Sequence, residues 1–167
     1  GFYDTRVGLV TYADTAKSHF YLNSNFDLTS LVNAINLVTY DGFNTNTANG
    51  IIEAHYMQFT SARGDRPDVP NYAILVTPGG ANIEKYKVSE EVQKIEANHV
   101  KMLAIGASYN VDMVELMDIA SEPKMEGETY WRVANFGSLM SISDEIAGKA
   151  CAGEHGATTA KPVDIGN

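Results

Sequence analysis

Apolar residues recur along this chain in two patterns, short continuous runs and helical stripes, and the two patterns alternate. Continuous runs at residues 72–77 (YAILVT) and 100–105 (VKMLAI) are typical of strands buried on both faces of a parallel sheet. A third strand is predicted at residues 129–133 (TYWRV). Stripes at helical spacing predict one helix after each of these strands, with apolar positions at Val88, Val92 and Ile95, at residues 111–120, and at Leu139, Ile142 and Ile146.

The N-terminal part predicts a hairpin followed by two helices. Residues 6–12 and 17–22 are typical of strands, and the turn between them is so short that they can pair only antiparallel. Asp27 offers an N-cap for a helix over residues 28–38. A second helix is predicted over residues 48–62, with Ile51, Ala54, His55 and Phe59 facing inward.

This order of elements predicts the fold class. Strands that alternate with amphipathic helices favour an α/β protein with a mostly parallel open sheet, one antiparallel edge strand and helices on both faces. Ligands of such sheets bind beyond the carboxyl ends of the strands. The loops after Thr77, Gly106 and Val133 are therefore the first places to look for a site.

Composition narrows the classes of function. The chain has 167 residues, which suits one α/β domain with a buried core rather than two. Its net charge of -9, from 12 basic and 21 acidic residues, repels phosphate, so no nucleic-acid partner is expected. No apolar run approaches the length of a membrane helix, so no membrane insertion is expected. Cys151 is the one cysteine, and it is either a small packed residue or the partner of a cysteine outside this sequence.

An ordered set of segments resembles the von Willebrand factor type A (vWA) domain. The segments are residues 6–12 (RVGLVTY), 42–47 (GFNTNT), 74–77 (ILVT), 104–106 (AIG), 116–120 (LMDIA) and 135–139 (NFGSL). The resemblance covers nearly all of residues 6–151. It implies a Rossmann-like vWA fold over residues 1–151, with residues 152–167 as a linker or tail. It also implies a secreted protein that serves adhesion in the extracellular matrix.

The centre of function in the family is a metal-ion-dependent adhesion site, which holds one divalent cation, usually Mg²⁺. Its ligands come from an Asp-x-Ser-x-Ser loop, a threonine and an aspartate, and hard cations of this kind take oxygen ligands. Thr45 matches the threonine, but Pro78 stands where the aspartate belongs, and proline offers no side-chain oxygen. The resemblance therefore implies a degenerate site in which Thr45 is vestigial, with no cofactor beyond a weakly bound Mg²⁺. Asp41, Asn44 and Asn46 could supply oxygens near Thr45, although turn-forming side chains are the favoured interpretation.

The same resemblance predicts a face that binds a partner. It also indicates that one strand of the family's fold is missing from this sequence. The face consists of residues from two loops, Thr45, Asn46, Thr47, Pro78, Gly79 and Gly80. The first strand of the family and its Asp-x-Ser-x-Ser loop are not found, so we expect either a fragment of a longer protein or another chain that fills the gap. Residues 161–166 (KPVDIG) resemble the lead into a first strand, which would fit a tandem array of vWA domains.

Arg63, Gly64 and Asp65 spell the tripeptide that many integrins read. A helix-to-strand loop also needs residues of this kind, because glycine and aspartate form turns. The plain loop is the favoured interpretation, and integrin recognition is kept as the alternative. A cell-adhesion assay competed with the peptide, with Asp65→Glu as the control, separates the two.

The sequence lacks the usual signatures of an enzyme. It contains no Gly-x-Ser-x-Gly elbow, no phosphate-binding loop and no Gly-x-Gly-x-x-Gly fingerprint. The family resemblance implies a non-enzymatic module that binds a protein partner such as collagen. Two alternatives are an intracellular scaffold that uses the same fold and a doubly wound enzyme that uses a nucleotide or a flavin.

Overall fold

The computed structural model describes residues 5–39, 42 and 44–152. Its five strands are β1 (Leu9–Tyr12), β2 (Ala16–Phe20), β3 (Asn71–Thr77), β4 (Val100–Ala107) and β5 (Tyr130–Val133). Its five α-helices are α1 (Leu28–Asn36), α2 (Thr47–Glu53), α3 (Val88–Ala97), α4 (Met113–Ile119) and α5 (Ser143–Ala152). The boundary predicted at residue 151 falls in the last turn of α5, and residues 161–166 lie outside the described part of the chain.

The strands form the predicted parallel core and the predicted hairpin. β3, β4 and β5 are parallel, in the order β3-β4-β5, while β1 and β2 pair antiparallel. In the described residues β1 and β3 are not hydrogen-bonded to each other, so the strands form two sheets instead of one continuous sheet. The α/β fold class is confirmed, and the two sheets are separated by a groove.

The parallel sheet is covered on both faces because side chains of a strand alternate between faces. Met102 and Ala104 of β4 belong to one apolar cluster, together with residues of α2, α3 and α4. Leu103 and Ile105 belong to a second cluster, with Trp131 of β5 and apolar residues of the last helical segment. The two clusters confirm helices on both faces and explain why the run at 100–105 is apolar at every position except Lys101.

Two predicted helices differ from the observed ones. The helix expected over residues 48–62 begins one residue earlier, at Thr47, turns π-helical at Ala54–Gln58 and ends there, before a separate 3-10 turn at Ser61–Arg63. Its inward face is as expected, since Ile51 and His55 are buried. The helix capped by Asp27 forms as predicted, but none of its residues is buried, so its apolar stripe is not part of either cluster. None of the helices in the described part of the chain is both long and apolar enough to cross a membrane.

Candidate functional site

The three loops singled out from the sequence leave the sheet at one edge. The parallel register aligns Thr77 with Gly106 and Ala107 with Val133, so the loops after β3, β4 and β5 start side by side. Carboxyl ends of parallel strands are the usual position of a site in this fold. We call this edge, with the N-terminal turn of α2, the loop edge.

The turn that precedes α2 is joined to the loop after β3. The amide of Asn82 donates to the carbonyl of Thr45 at 3.0 Å, and the amide of Thr45 donates to Oδ1 of Asn82 at 2.8 Å. Nδ2 of Asn82 also donates to Oδ1 of Asn44 at 3.1 Å. The structure thus brings the segment of Thr45 together with the loop that carries Pro78.

Asn44 and Asn46 act as turn-forming residues here. Asn46 caps α2, because its Oδ1 accepts from the amide of Asn49 at 3.1 Å, and its own amide donates to the carbonyl of Ala13 at 2.8 Å. Nδ2 of Asn44 donates to Asp14 at the tip of the β1–β2 hairpin. These bonds favour the turn-forming interpretation over cation ligands. Asp41 lies outside the described residues.

The Thr77–Gly80 loop satisfies its own polar atoms. The hydroxyl of Thr77 donates to the carbonyl of Gly79 at 2.6 Å and accepts from the amide of Gly79 at 3.3 Å. Pro78 is exposed at the turn. A Cβ on Gly80 would lie 3.0 Å from Cβ of Asp112, so glycine there lets the loop approach α4 closely.

A buried carboxylate that the sequence reading missed holds this loop from below. Glu115 of α4 is 4% exposed, and both of its oxygens lie 2.9 Å from the amide of Ala81. Its Oε1 also accepts from the hydroxyl of Thr47 at 3.3 Å, so one side chain ties α4 to both the β3 loop and α2. Buried carboxylates need such donors. The signal was the helical stripe Val111, Glu115 and Ile119, in which a carboxylate occupies an inward position.

A lysine offsets part of the negative charge of the two carboxylates beside the loop. Nζ of Lys85 pairs with Asp112 and lies 3.7 Å from Oε2 of Glu115. The ion pair with Lys85 lowers the pKa of Asp112, and the pairing with Asp112 raises the pKa of Lys85. Asp112 also caps α4 by accepting from the amides of Val114 and Glu115. The ammonium group of Lys85 therefore already lies close to the two acidic side chains of the loop edge.

Several oxygens of the described loop edge are already engaged in contacts within the protein. The hydroxyl of Thr47 is bonded to Glu115, the carbonyl of Gly79 accepts from Thr77, and Pro78 has no side-chain oxygen. Glu115, the nearest buried carboxylate, already accepts from an amide and faces Lys85. Among the described residues no three His, Cys, Asp or Glu side chains cluster as metal ligands do.

Large apolar side chains project from two of the loops. Tyr109, in the loop after β4, is 82% exposed, and Phe136, in the loop after β5, is 54% exposed. Together with Pro78 they place a ring on each of the three loops of the parallel sheet. Exposed aromatic groups at the rim of a fixed scaffold are typical anchors of protein–protein contacts.

Arg63, Gly64 and Asp65 lie away from the loop edge and are held by internal contacts. Cζ of Arg63 lies 3.9 Å from the ring centre of Tyr21, and Oδ1 of Asp65 accepts from Nδ2 of Asn71 at 2.8 Å. Gly64 is buried, has a φ of 100°, and accepts from Nη1 of Arg6 at 2.6 Å. These contacts favour the loop-forming interpretation, since the tripeptide is not presented as a free tip.

A parallel sheet covered by helices on both faces defines the structural class, and comparison with known proteins defines the family. The family model for the von Willebrand factor type A domain matches residues 1–145. The chain therefore belongs to the vWA family. This confirms the resemblance noted in the sequence.

The relatives of the chain are extracellular adhesion and matrix proteins. Human matrilin-3 is 32% identical over 152 residues, covering 89% of this chain and 30% of that protein. Integrin alpha-1 of Gallus gallus is 29% identical over 153 residues, covering 86% of this chain and 50% of that protein. The chain thus spans half or less of the length of these relatives. Their vWA domains are non-enzymatic adhesion modules.

A solved structure with the same fold has an occupied metal site. The proximal thread matrix protein 1 of the mussel byssus, with a zinc-occupied metal-ion-dependent adhesion site, matches with a TM-score of 0.76 at 26% identity. The match covers 87% of this chain and 35% of that one. The zinc belongs to that protein and is not assigned to this chain.

Proposed function

We propose that this chain is a secreted adhesion module that binds a matrix protein, with collagen as the first candidate. The binding surface is the loop edge, including Thr45–Thr47 and Pro78–Gly80, and no fully formed metal site is required. The observation that carries the proposal is the loop edge itself, where three aligned loops each expose a ring beside a fixed network of hydrogen bonds.

The aromatic rings supply the binding energy in this proposal. Tyr109 and Phe136 are more than half exposed, and their burial against a partner removes large apolar surfaces from water. The neighbouring loop after β3 is held by Glu115 and by the Thr45–Asn82 pairing, so this part of the face loses little conformational entropy when a partner binds. A preformed face of this kind suits a rigid partner such as a collagen triple helix.

The donor atoms beside the β3 loop support independence from metal. A cation-dependent face needs an open carboxylate or hydroxyl shell, whereas the carboxylates beside the β3 loop already pair with Lys85. We expect at most weak Mg²⁺ binding. Titration calorimetry with Mg²⁺ and with Mn²⁺ tests this, and a tight stoichiometric isotherm would contradict it.

The binding test compares two exposed tyrosines. Immobilised triple-helical collagen is titrated with the chain, with Tyr109→Ala and with Tyr56→Ala, each in Mg²⁺ and in EDTA. Tyr56 is 57% exposed but lies in the π-helical turn after α2, away from the loop edge, so it serves as the matched control. We expect Tyr109→Ala to weaken binding by about tenfold or more and Tyr56→Ala to change it by less than about twofold.

Each contrary outcome contradicts a different part of the proposal. Binding that EDTA abolishes would show a working metal site. Equal effects of the two tyrosine variants would show that the partner does not use the loop edge. Absence of collagen binding would exclude this partner, and the same comparison would then be made with other matrix proteins.

A further inference from the structure

A histidine ring is enclosed where α2 meets α3. His55 lies in the π-helical turn Ala54–Gln58 that continues α2, and it is 7% exposed. Its Nε2 lies 2.5 Å from Nδ2 of Asn98, the residue that caps the C-terminus of α3. The π-helical turn is therefore joined to the end of α3 through a polar contact that contains a titratable group.

The second bond of Asn98 decides which nitrogen of the ring carries the proton. Nδ2 of Asn98 also donates to the carbonyl of Lys94 at 3.2 Å, so the amide nitrogen, and not the amide oxygen, is on this side. An amide nitrogen only donates, so Nε2 of His55 is the acceptor and the neutral ring carries its proton on Nδ1. Among the described residues the buried Nδ1 has no hydrogen-bond partner. The neutral ring therefore satisfies Asn98 and leaves one of its own nitrogens unpaired.

Protonation of the ring would break this arrangement. A charged imidazole donates from both nitrogens, so its Nε2–H would face the amide hydrogens of Asn98. Rotation of the Asn98 amide would bring its oxygen to Nε2, but that oxygen would then face the carbonyl of Lys94, and α3 would lose this bond at its C-terminus. The charge would also be buried with Nδ1 still unpaired. Each of these changes favours separation of the π-helical turn from α3.

Charged side chains of α3 act on the ring in opposite directions. Burial lowers the pKa of His55 and is the largest effect, while the Glu91 carboxylate raises the pKa and the Lys94 ammonium lowers it. Nζ of Lys94 lies 2.8 Å from Oε1 of Glu90 and from Oε1 of Glu91, so the Glu91 carboxylate is already paired. Among the described residues the charges that shift this pKa come from α3, although β1, β2 and the 3-10 turn Lys85–Lys87 also pack against α2. The fold therefore favours the neutral ring.

The contact between His55 and Asn98 has the properties of a switch. We propose that His55 is a pH-sensitive latch, which holds α2 and its π-helical turn against α3 while the ring is neutral and releases them when the ring takes up a proton. The other end of the same helix begins at Thr47, whose hydroxyl bonds to Glu115, so the latch acts on a helix that is part of the loop edge. The inference concerns the fold and does not depend on the partner bound there.

Amide hydrogen exchange of the complete chain at about pH 7.5 and about pH 5 tests the proposal. Because the pKa of His55 is lowered, the stability that the neutral ring contributes is complete above pH 6.5 and is lost as the pH falls through the lowered pKa. After correction for the intrinsic effect of pH on exchange, we expect amides of α2 and of the last turn of α3 to exchange about fivefold faster or more at the lower pH. In His55→Gln, which does not titrate and whose amide oxygen can still accept from Asn98, the difference should fall below about twofold.

His99→Asn is the matched control for this comparison. His99 is exposed and has a φ of 61°, which asparagine tolerates, so the variant removes a titratable ring beside the latch and leaves His55 in place. It should keep the full effect of acid, and the amides of β4 report that the fold is intact. Equal exchange at the two pH values in the unsubstituted chain, or an effect of acid that persists in His55→Gln, would overturn the proposal.

NMR titration of the His55 ring in the unsubstituted chain is a second measurement, and it needs no variant that must fold. We expect the ring to titrate with a midpoint below pH 6.5 and the side-chain amide signals of Asn98 to shift with the same midpoint. A midpoint at or above pH 6.5 would show that the fold does not favour the neutral ring. Asn98 signals that do not follow the titration would show that the ring is not coupled to α3, and either result would overturn the proposal.

Discussion

Replacement of Glu115 by alanine is the sharpest test of how the loop edge is built. The substitution removes the acceptor of the Ala81 amide and of the Thr47 hydroxyl, both buried between α2 and α4. A buried donor left without a partner costs roughly 1–3 kcal/mol. The hydroxyl of Thr47 can rotate towards another acceptor, so the amide of Ala81 accounts for most of the loss.

The desolvation energy that is regained when the carboxylate is removed is smaller than this loss. Burial of the carboxylate costs desolvation energy, and its removal returns part of that cost. Lys85 keeps its partner Asp112, so no buried cation is left alone. We therefore expect the free energy of unfolding to fall by about 2–3 kcal/mol in Glu115→Ala. Glu115→Gln keeps one oxygen for the amide of Ala81 and should lose about 1 kcal/mol.

Urea unfolding followed by circular dichroism measures both values, with Asp118→Ala and Asp118→Asn as controls. Asp118 lies one turn further along α4, has a side chain that is 52% exposed, and faces Lys124 at 3.9 Å. Its replacement should change the stability by no more than about 0.5 kcal/mol. A loss in Glu115→Ala that matches the loss in Asp118→Ala would refute the assigned role of the Glu115 carboxylate.

Three further predictions rest on local geometry. Gly64→Ala should lower the free energy of unfolding by about 2 kcal/mol in urea titrations, because φ is 100° and a Cβ would lie 2.7 Å from the Asn23 backbone. Gly79→Ala is the control and should be nearly neutral, because a Cβ there would have nothing within 4 Å. Burial raises the pKa of Tyr12 from 10.0 to about 12, so its contribution to stability is complete below pH 10 and is lost as the pH rises to about 12. In Tyr12→Phe, the free energy of unfolding should no longer show this fall between pH 10 and about pH 12. Hydrogen bonds from Ser30 lower the pKa of Asp27 below 3.8. The cap of α1 should therefore hold above pH 3.8 and open as the pH falls through the lowered pKa, which NMR of the Ser30 amide would show. A Ser30 amide signal that Asp27→Ala does not change would contradict this prediction.

The strands could be predicted because an apolar run with two buried faces can be recognised from residues that are adjacent in the sequence. The run at 100–105 is apolar at nearly every position, and β4 indeed contributes to a core cluster on each face. The three loops could be placed at one edge for the same reason, since parallel strands end together. Asp27 was identified as a cap from its residue type and its position before an apolar stripe.

Features that depend on tertiary contacts were not visible in the pattern. The stripe of α1 predicts an inward face, yet Leu28 is 76% exposed, because helical spacing does not say which element covers the stripe. The role of Glu115 requires the loop of Ala81 to lie above α4, and no local pattern encodes that contact. The exposure of Tyr109 likewise follows from the shape of a loop and not from its composition.

At the loop edge, some residues hold the loops in place, and others are exposed for contact with a partner. Variants of the two groups should therefore have different effects. Glu115 and Thr47 are buried and bond the loops to one another, so changes there should alter stability and binding together. Tyr109 and Pro78 are exposed and none of the contacts described above depends on their side chains, so changes there should alter binding alone. If Tyr109→Ala unfolded the protein as readily as Glu115→Ala, the rings would belong to the scaffold, and the loop edge would need another anchor for its partner.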